Sequence, residues 1–105
     1  MLFVETPIFT REVHDLIPDD DYRNLQFALL LRPEAGSIIP GSGGLRKVRW
    51  GSAGKGKRGG LRVIYYWNKA EECIYMLLVY GKSRQVDLTK EQLRTLRKFV
   101  KENLK

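Results

Sequence analysis

At 105 residues the chain has room for one small hydrophobic core and not for two, so a single domain covering residues 1–105 is expected. Nineteen Lys and Arg against twelve Asp and Glu leave a net charge of +7, which suits a nucleic acid or an acidic partner. Cys73 and His14, the sole cysteine and histidine, are too few for a disulfide framework or a thiolate zinc site. With no apolar run near the roughly 20 residues of a membrane span, and no signal-peptide pattern in MLFVETPIF, a cytoplasmic protein with no membrane association, metal or cofactor is expected.

The charge is regional. Residues 1–34 hold seven acids (Glu5, Glu12, Asp15, Asp19, Asp20, Asp21, Glu34) and three cations, whereas residues 35–70 hold eight cations and no acid. Residues 71–105 carry eight cations and five acids, the mixture of a solvated amphipathic helix and its lead-in.

In chain order, Leu2 to Glu5 reads as a first strand, and Thr6 before Pro7 as an N-cap with proline at the first helical position. The helix that follows should end near Leu16, ahead of Pro18. Asp19, Asp20 and Asp21 are expected to supply the next N-cap and to place acids at the positive end of a second helix reaching about Leu31. Its apolar stripe runs through Tyr22, Leu25, Ala28, Leu29 and Arg32, widened by Leu30 and Leu31. RPEAGSIIPGSGG, from Arg32 to Gly44, is rich enough in glycine, proline and serine to predict an irregular connector.

Three strands are expected next, at Leu45 to Trp50, Leu61 to Asn68 and Cys73 to Tyr80, forming an antiparallel meander with a turn over Asn68 to Glu72. Thr89 and Gln92 form a capping box for a last helix bearing Leu93, Leu96, Phe99, Val100 and Leu104 on one side. The fold class is therefore α+β, in the order β-α-α-β-β-β-α, with N-terminal helices and a C-terminal helix on a small antiparallel sheet.

The candidate chemistry lies in the basic segment. Alternation puts Lys47 and Arg49 on one face of their strand and Arg46, Val48 and Trp50 on the other, while Arg62 shares a face with Ile64 and Tyr66 on the next strand. With no acid in the segment, such cations repel one another in the free protein, and a bound polyanion relieves that cost. The loop GSAGKGKRGG, carrying Lys55, Lys57 and Arg58, lacks the ending of a nucleotide-binding P-loop and is better suited to gripping a phosphodiester backbone. Bases could stack on whichever of Trp50, Tyr65, Tyr66, Trp67, Tyr75 and Tyr80 face solvent. His14, in the acidic helical region, reads as a surface residue.

The strings LRKVRWGSAGKGKRGGLRVIYYW and YMLLVYGKSRQVDLT together resemble the core of RelE-type toxins of bacterial type II toxin–antitoxin systems, within the RelE/ParE superfamily and closest to the HigB branch. The resemblance implies the RelE-like fold and a metal-independent endoribonuclease, an mRNA interferase that cleaves mRNA in the ribosomal A site and so inhibits translation. On that resemblance Lys47, Arg49 and Arg62 form the catalytic cation set, with Lys82 or Arg84 assisting, and Arg46, Lys55, Lys57 and Arg58 contact RNA or the ribosome. Two positions depart from the best-known members: Ser83 stands where they carry an arginine, and Thr89 where they carry a tyrosine, which leaves the general base open. The implied partners are the ribosome, mRNA and a cognate antitoxin of helix-turn-helix type, through which alone operator DNA would be reached. The alternatives are a ParE-like protein that poisons gyrase without cutting nucleic acid, and a catalytically silent nucleic-acid-binding module.

Overall fold

The computed structural model describes residues 1–51 and 60–104. The elements run β1 (Leu2–Glu5), α1 (Pro7–Leu16), α2 (Asp19–Leu31), β2 (Ser37–Ile38), β3 (Leu45–Trp50), β4 (Leu61–Asn68), β5 (Cys73–Gly81) and α3 (Lys90–Asn103). They form a five-stranded sheet in the order β1-β5-β4-β3-β2, with three helices packed on it.

Both helix starts with a hydroxyl cap form as the sequence predicts. Thr6 Oγ1 accepts from the Phe9 N–H at 3.1 Å and donates to the Leu77 carbonyl at 2.9 Å, so one side chain caps α1 and ties it to β5. Thr89 and Gln92 make the reciprocal capping box of α3. At α2 the N-cap is instead Pro18, with no side-chain cap, and Asp19, Asp20 and Asp21 occupy the first helical turn. There their carboxylates meet the exposed N–H groups and the positive end of the helix dipole.

The sheet differs from an antiparallel meander at both edges. β1 lies beside β5 and parallel to it, Leu2 opposite Cys73, because α1 and α2 carry the chain across one face before β3 to β5 return. Apolar periodicity has no direction, so this pairing was invisible in the sequence. At the far edge the connector contributes β2, pairing Ser37 with Lys47 and Ile38 with Arg46. Side chains from the sheet hold it there. Tyr65 Oη accepts from the Gly36 N–H at 2.9 Å and donates to the Pro33 carbonyl at 2.7 Å, while the Arg46 guanidinium donates to the Gly36 carbonyl at 2.7 Å.

Gly36 is required for this closeness. A Cβ there would sit 2.8 Å from Tyr65 Cε1 and 3.0 Å from the Lys47 carbonyl oxygen, with little freedom in the backbone to yield. Gly36→Ala is therefore expected to cost about 1–3 kcal/mol through overpacking, read as a thermal midpoint lowered by roughly 4 °C or more.

Both sheet faces carry helices. Phe9 and Val13 of α1, Ile17 after it, and Leu25 and Leu29 of α2 pack on Val63, Tyr65, Met76 and Val79. On the opposite face Val100, Leu93 and Leu96 of α3 pack on Leu45, Ile64, Leu77 and Tyr80. Only Leu25 and Leu29 of the α2 stripe are fully buried; Leu30 and Leu31 are exposed and do not widen it as expected. A bulge between Ile64 and Tyr65 shifts the β4–β5 register, so that Arg62 faces Tyr80 while Tyr65 faces Met76.

Candidate active site

The β3–β4 register sets Arg49 directly opposite Arg62 and Lys47 opposite Ile64, and the β4–β5 register continues that row to Tyr80. Lys47, Arg49, Arg62 and Tyr80 thus share the face that carries α3. Like charges directly opposite one another on a sheet are destabilising. The cost is sharpened here because Arg62 is 6% exposed and buries its charge, while Arg49 beside it is exposed. An Arg62 Nη1 donates to the Leu61 carbonyl at 3.3 Å.

One acid enters the cluster, from the segment between β5 and α3. Asp87 Oδ1 accepts from Lys47 Nζ at 2.7 Å. That hydrogen bond, then the Lys47 charge, with smaller contributions from Arg62 and Arg49, holds the Asp87 carboxyl below its ordinary pKa. Three cations and one carboxylate leave a local net charge of about +2, an arrangement that a phosphate completes.

Tyr80 supplies a different group. Its hydroxyl oxygen is buried and has no hydrogen-bond partner among the described residues, a costly state for a phenol. Burial foremost, and then the Asp87 charge, raise its pKa, with Arg62 opposing. The phenol therefore stays protonated at neutral pH, a donor facing a cationic cluster and a poor base.

A family model described as the RelE toxin of the RelE/RelB toxin–antitoxin system matches residues 33–105. The chain belongs to the RelE toxin family. The match covers β2 to α3, and with them every residue of this cluster. The protein is accordingly a toxin of a toxin–antitoxin system, a class in which each toxin is paired with an antitoxin.

Within this RelE-family toxin the remaining sequence-predicted residues are dispersed. Arg46 projects from the other side of β3, donates to the carbonyls of Glu34 and Gly36, and lies 4.0 Å from the Glu34 carboxylate, bracing the connector. Lys82 and Arg84 follow β5 and are exposed. The Lys82 backbone N–H donates to the Gly60 carbonyl at 2.8 Å, and Arg84 reaches Glu12 of α1 at 3.4 Å. Lys55, Lys57 and Arg58 lie outside the described residues. Ser83 is exposed, and Thr89 Oγ1 is engaged as the α3 cap, accepting from the Gln92 N–H at 3.0 Å. His14 is a surface residue, 3.7 Å from Asp19.

The acid-free basic segment does acquire counter-acids from outside itself: Asp87, 40 residues on, for Lys47, and Glu34, just before the segment, for Arg46. Asp87 is the site residue that the sequence reading missed, and Tyr80 was read only as a possible base-stacking aromatic, not as a hydroxyl donor. A signal was available for the first, since Asp87 is the one acid between Glu72 and Glu91. For Tyr80 there was none beyond its place next to Gly81 and Lys82.

Proposed function

We propose that this toxin is a ribosome-dependent, metal-independent endoribonuclease that acts in the cytoplasm, cuts mRNA in the ribosomal A site and is silenced by a cognate antitoxin. The observation that carries the reading is the row Lys47, Arg49, Arg62 and Tyr80 on one sheet face with Asp87 above it. In the reaction the ribose 2′-oxygen attacks the adjacent phosphorus, the 2′-O–P bond forms, and the bond from phosphorus to the 5′-oxygen of the next nucleotide breaks. Charge builds on the phosphorane oxygens and the leaving oxygen, where fixed cations and donors stabilise the transition state more than the ground state.

Lys47 and Arg49 bind and polarise the phosphate, Arg62 meets the charge that develops on it, and the Tyr80 hydroxyl donates a hydrogen bond to a phosphoryl oxygen. When the phosphate takes Lys47, the Asp87 carboxylate is released to accept the proton of the attacking 2′-hydroxyl. Lys82 assists the leaving 5′-oxygen, and Arg84, together with the loop residues Lys55, Lys57 and Arg58, holds RNA or ribosome, since cations that meet phosphates add affinity and salt dependence. A helix-turn-helix antitoxin completes the system and provides its contact with operator DNA.

The test is translation of a defined mRNA with the purified protein, with and without ribosomes, cleavage ends being mapped by primer extension. Cuts that require ribosomes support the proposal. Intact mRNA under active translation overturns it, and a DNA-supercoiling assay then distinguishes a gyrase poison from a silent binder.

Asp87→Asn separates a proton acceptor from a mere counter-ion. Removing the carboxylate raises the local charge, so inorganic phosphate is expected to bind severalfold more tightly, while single-turnover cleavage slows roughly tenfold or more. Faster cleavage by the variant would restrict Asp87 to charge balance. Because the folded carboxyl titrates below the unfolded one, the Lys47–Asp87 pair stabilises the fold above about pH 4 and is lost as pH falls through the depressed value.

A further inference from the structure

Beside the cation row lies a cleft of about 390 Å³ between the β2 edge and the start of α3. Ser37, Ile39, Pro40, Leu88 and Leu93 line it, and Lys47 with Asp87 stands at its charged end. Ser37 is the cross-strand partner of Lys47, so the two side chains leave the sheet on the same face. Ile39, Leu88 and Leu93 are only half-buried on the α3 core, which leaves an aliphatic wall facing the cleft.

The volume is within the range of small-ligand sites, roughly 300–1,000 Å³, and the lining follows the usual pattern of apolar walls with a few convergent polar groups. The distribution of polarity is uneven. Charge is confined to the end shared with Arg49 and Arg62, and the remainder offers apolar contact plus the Ser37 hydroxyl. A ligand that matches both ends carries an anion joined to a flat, weakly polar ring.

Resting on the ribonuclease reading above, we propose that this cleft is a nucleobase subsite: it takes the base of a ribonucleotide whose phosphate lies at Lys47, Arg49 and Arg62. The base slides between the Ile39–Pro40 segment and Leu88, and its edge meets Ser37. Substrate is then held at two points, the phosphate on the cation row and the base in the cleft, which orients the sugar for attack. The connector from Arg32 to Gly44 acquires a use, since its ordering by Tyr65 and Arg46 builds one wall of the subsite.

The test is an NMR titration of the labelled wild-type protein with adenosine 3′-monophosphate, uridine 3′-monophosphate and, separately, inorganic phosphate, at millimolar concentration. At least one nucleotide is expected to shift the methyl signals of Ile39, Leu88 and Leu93, and inorganic phosphate to shift only signals of Lys47, Arg49 and Arg62. Ser37→Tyr fills the cleft from an exposed strand position where tyrosine is well accepted. It is expected to weaken nucleotide binding roughly tenfold and to leave phosphate binding unchanged. Methyl signals that ignore both nucleotides, or that respond equally to phosphate, overturn the subsite while the anion site stands. Silence of Lys47, Arg49 and Arg62 toward every anion overturns both the subsite and the reading on which it rests.

Discussion

Arg62→Ala is expected to lower ribosome-dependent mRNA cleavage by roughly 10²–10³, the loss typical of removing one preorganised group from a transition-state charge. The size of the effect follows from burial. At 6% exposure the Arg62 guanidinium acts in a poorly hydrated setting, where a charge is felt more strongly than at the surface. The fold is expected to persist, because the substitution also removes the repulsion between Arg62 and Arg49 across the β3–β4 pair. A cooperative melting transition checks this. Arg62→Lys keeps the charge but not the planar fork and should recover part of the rate. Wild-type cleavage by a folded Arg62→Ala protein would remove Arg62 from the mechanism.

Tyr80→Phe is expected to move stability and activity in opposite directions. The phenol oxygen is buried without a partner among the described residues, so deleting it removes a desolvation cost and leaves the ring packing intact. A gain of about 1 kcal/mol corresponds to a rise of roughly 4–8 °C in the thermal midpoint of a domain this size. Cleavage should nevertheless fall roughly tenfold to a hundredfold, since the donor facing the phosphoryl group is gone. Lower stability with unchanged cleavage would mean that the hydroxyl has a structural partner and no part in the reaction.

The same residue predicts an alkaline limit. Burial raises the Tyr80 pKa above the usual value of about 10, so the folded state retains a proton that the unfolded chain releases. Fold stability is independent of this group below about pH 10 and declines as pH rises from there toward the folded value. Tyr22, raised chiefly by burial and then by its hydrogen bond to Glu5, adds to the same decline.

Much of this fold was legible in local residue patterns. Thr6–Pro7 and Thr89 with Gln92 marked two helix starts because capping satisfies backbone donors within three or four residues. The β3 and β4 runs were read with the bounds they have, since dense β-branched and aromatic residues suit a pleated, buried surface. The α2 start was misread because three consecutive aspartates suit both an N-cap and a first turn, and Pro18 took the cap. Ser37–Ile38 was hidden in a glycine- and proline-rich connector, since its order comes from Tyr65 and Arg46 on the sheet.

For the site, the sequence by itself determined the cation set. Alternation put Lys47 and Arg49 on one side of a strand, and the basic segment held no acid of its own. Only the tertiary structure decided how those charges meet: Arg49 against Arg62, Tyr80 beside them, and Asp87 brought from 40 residues away to Lys47. The physical reason is that side-chain direction along a strand is a local property with period two, whereas register, bulges and ion pairs depend on which strands and loops are packed together.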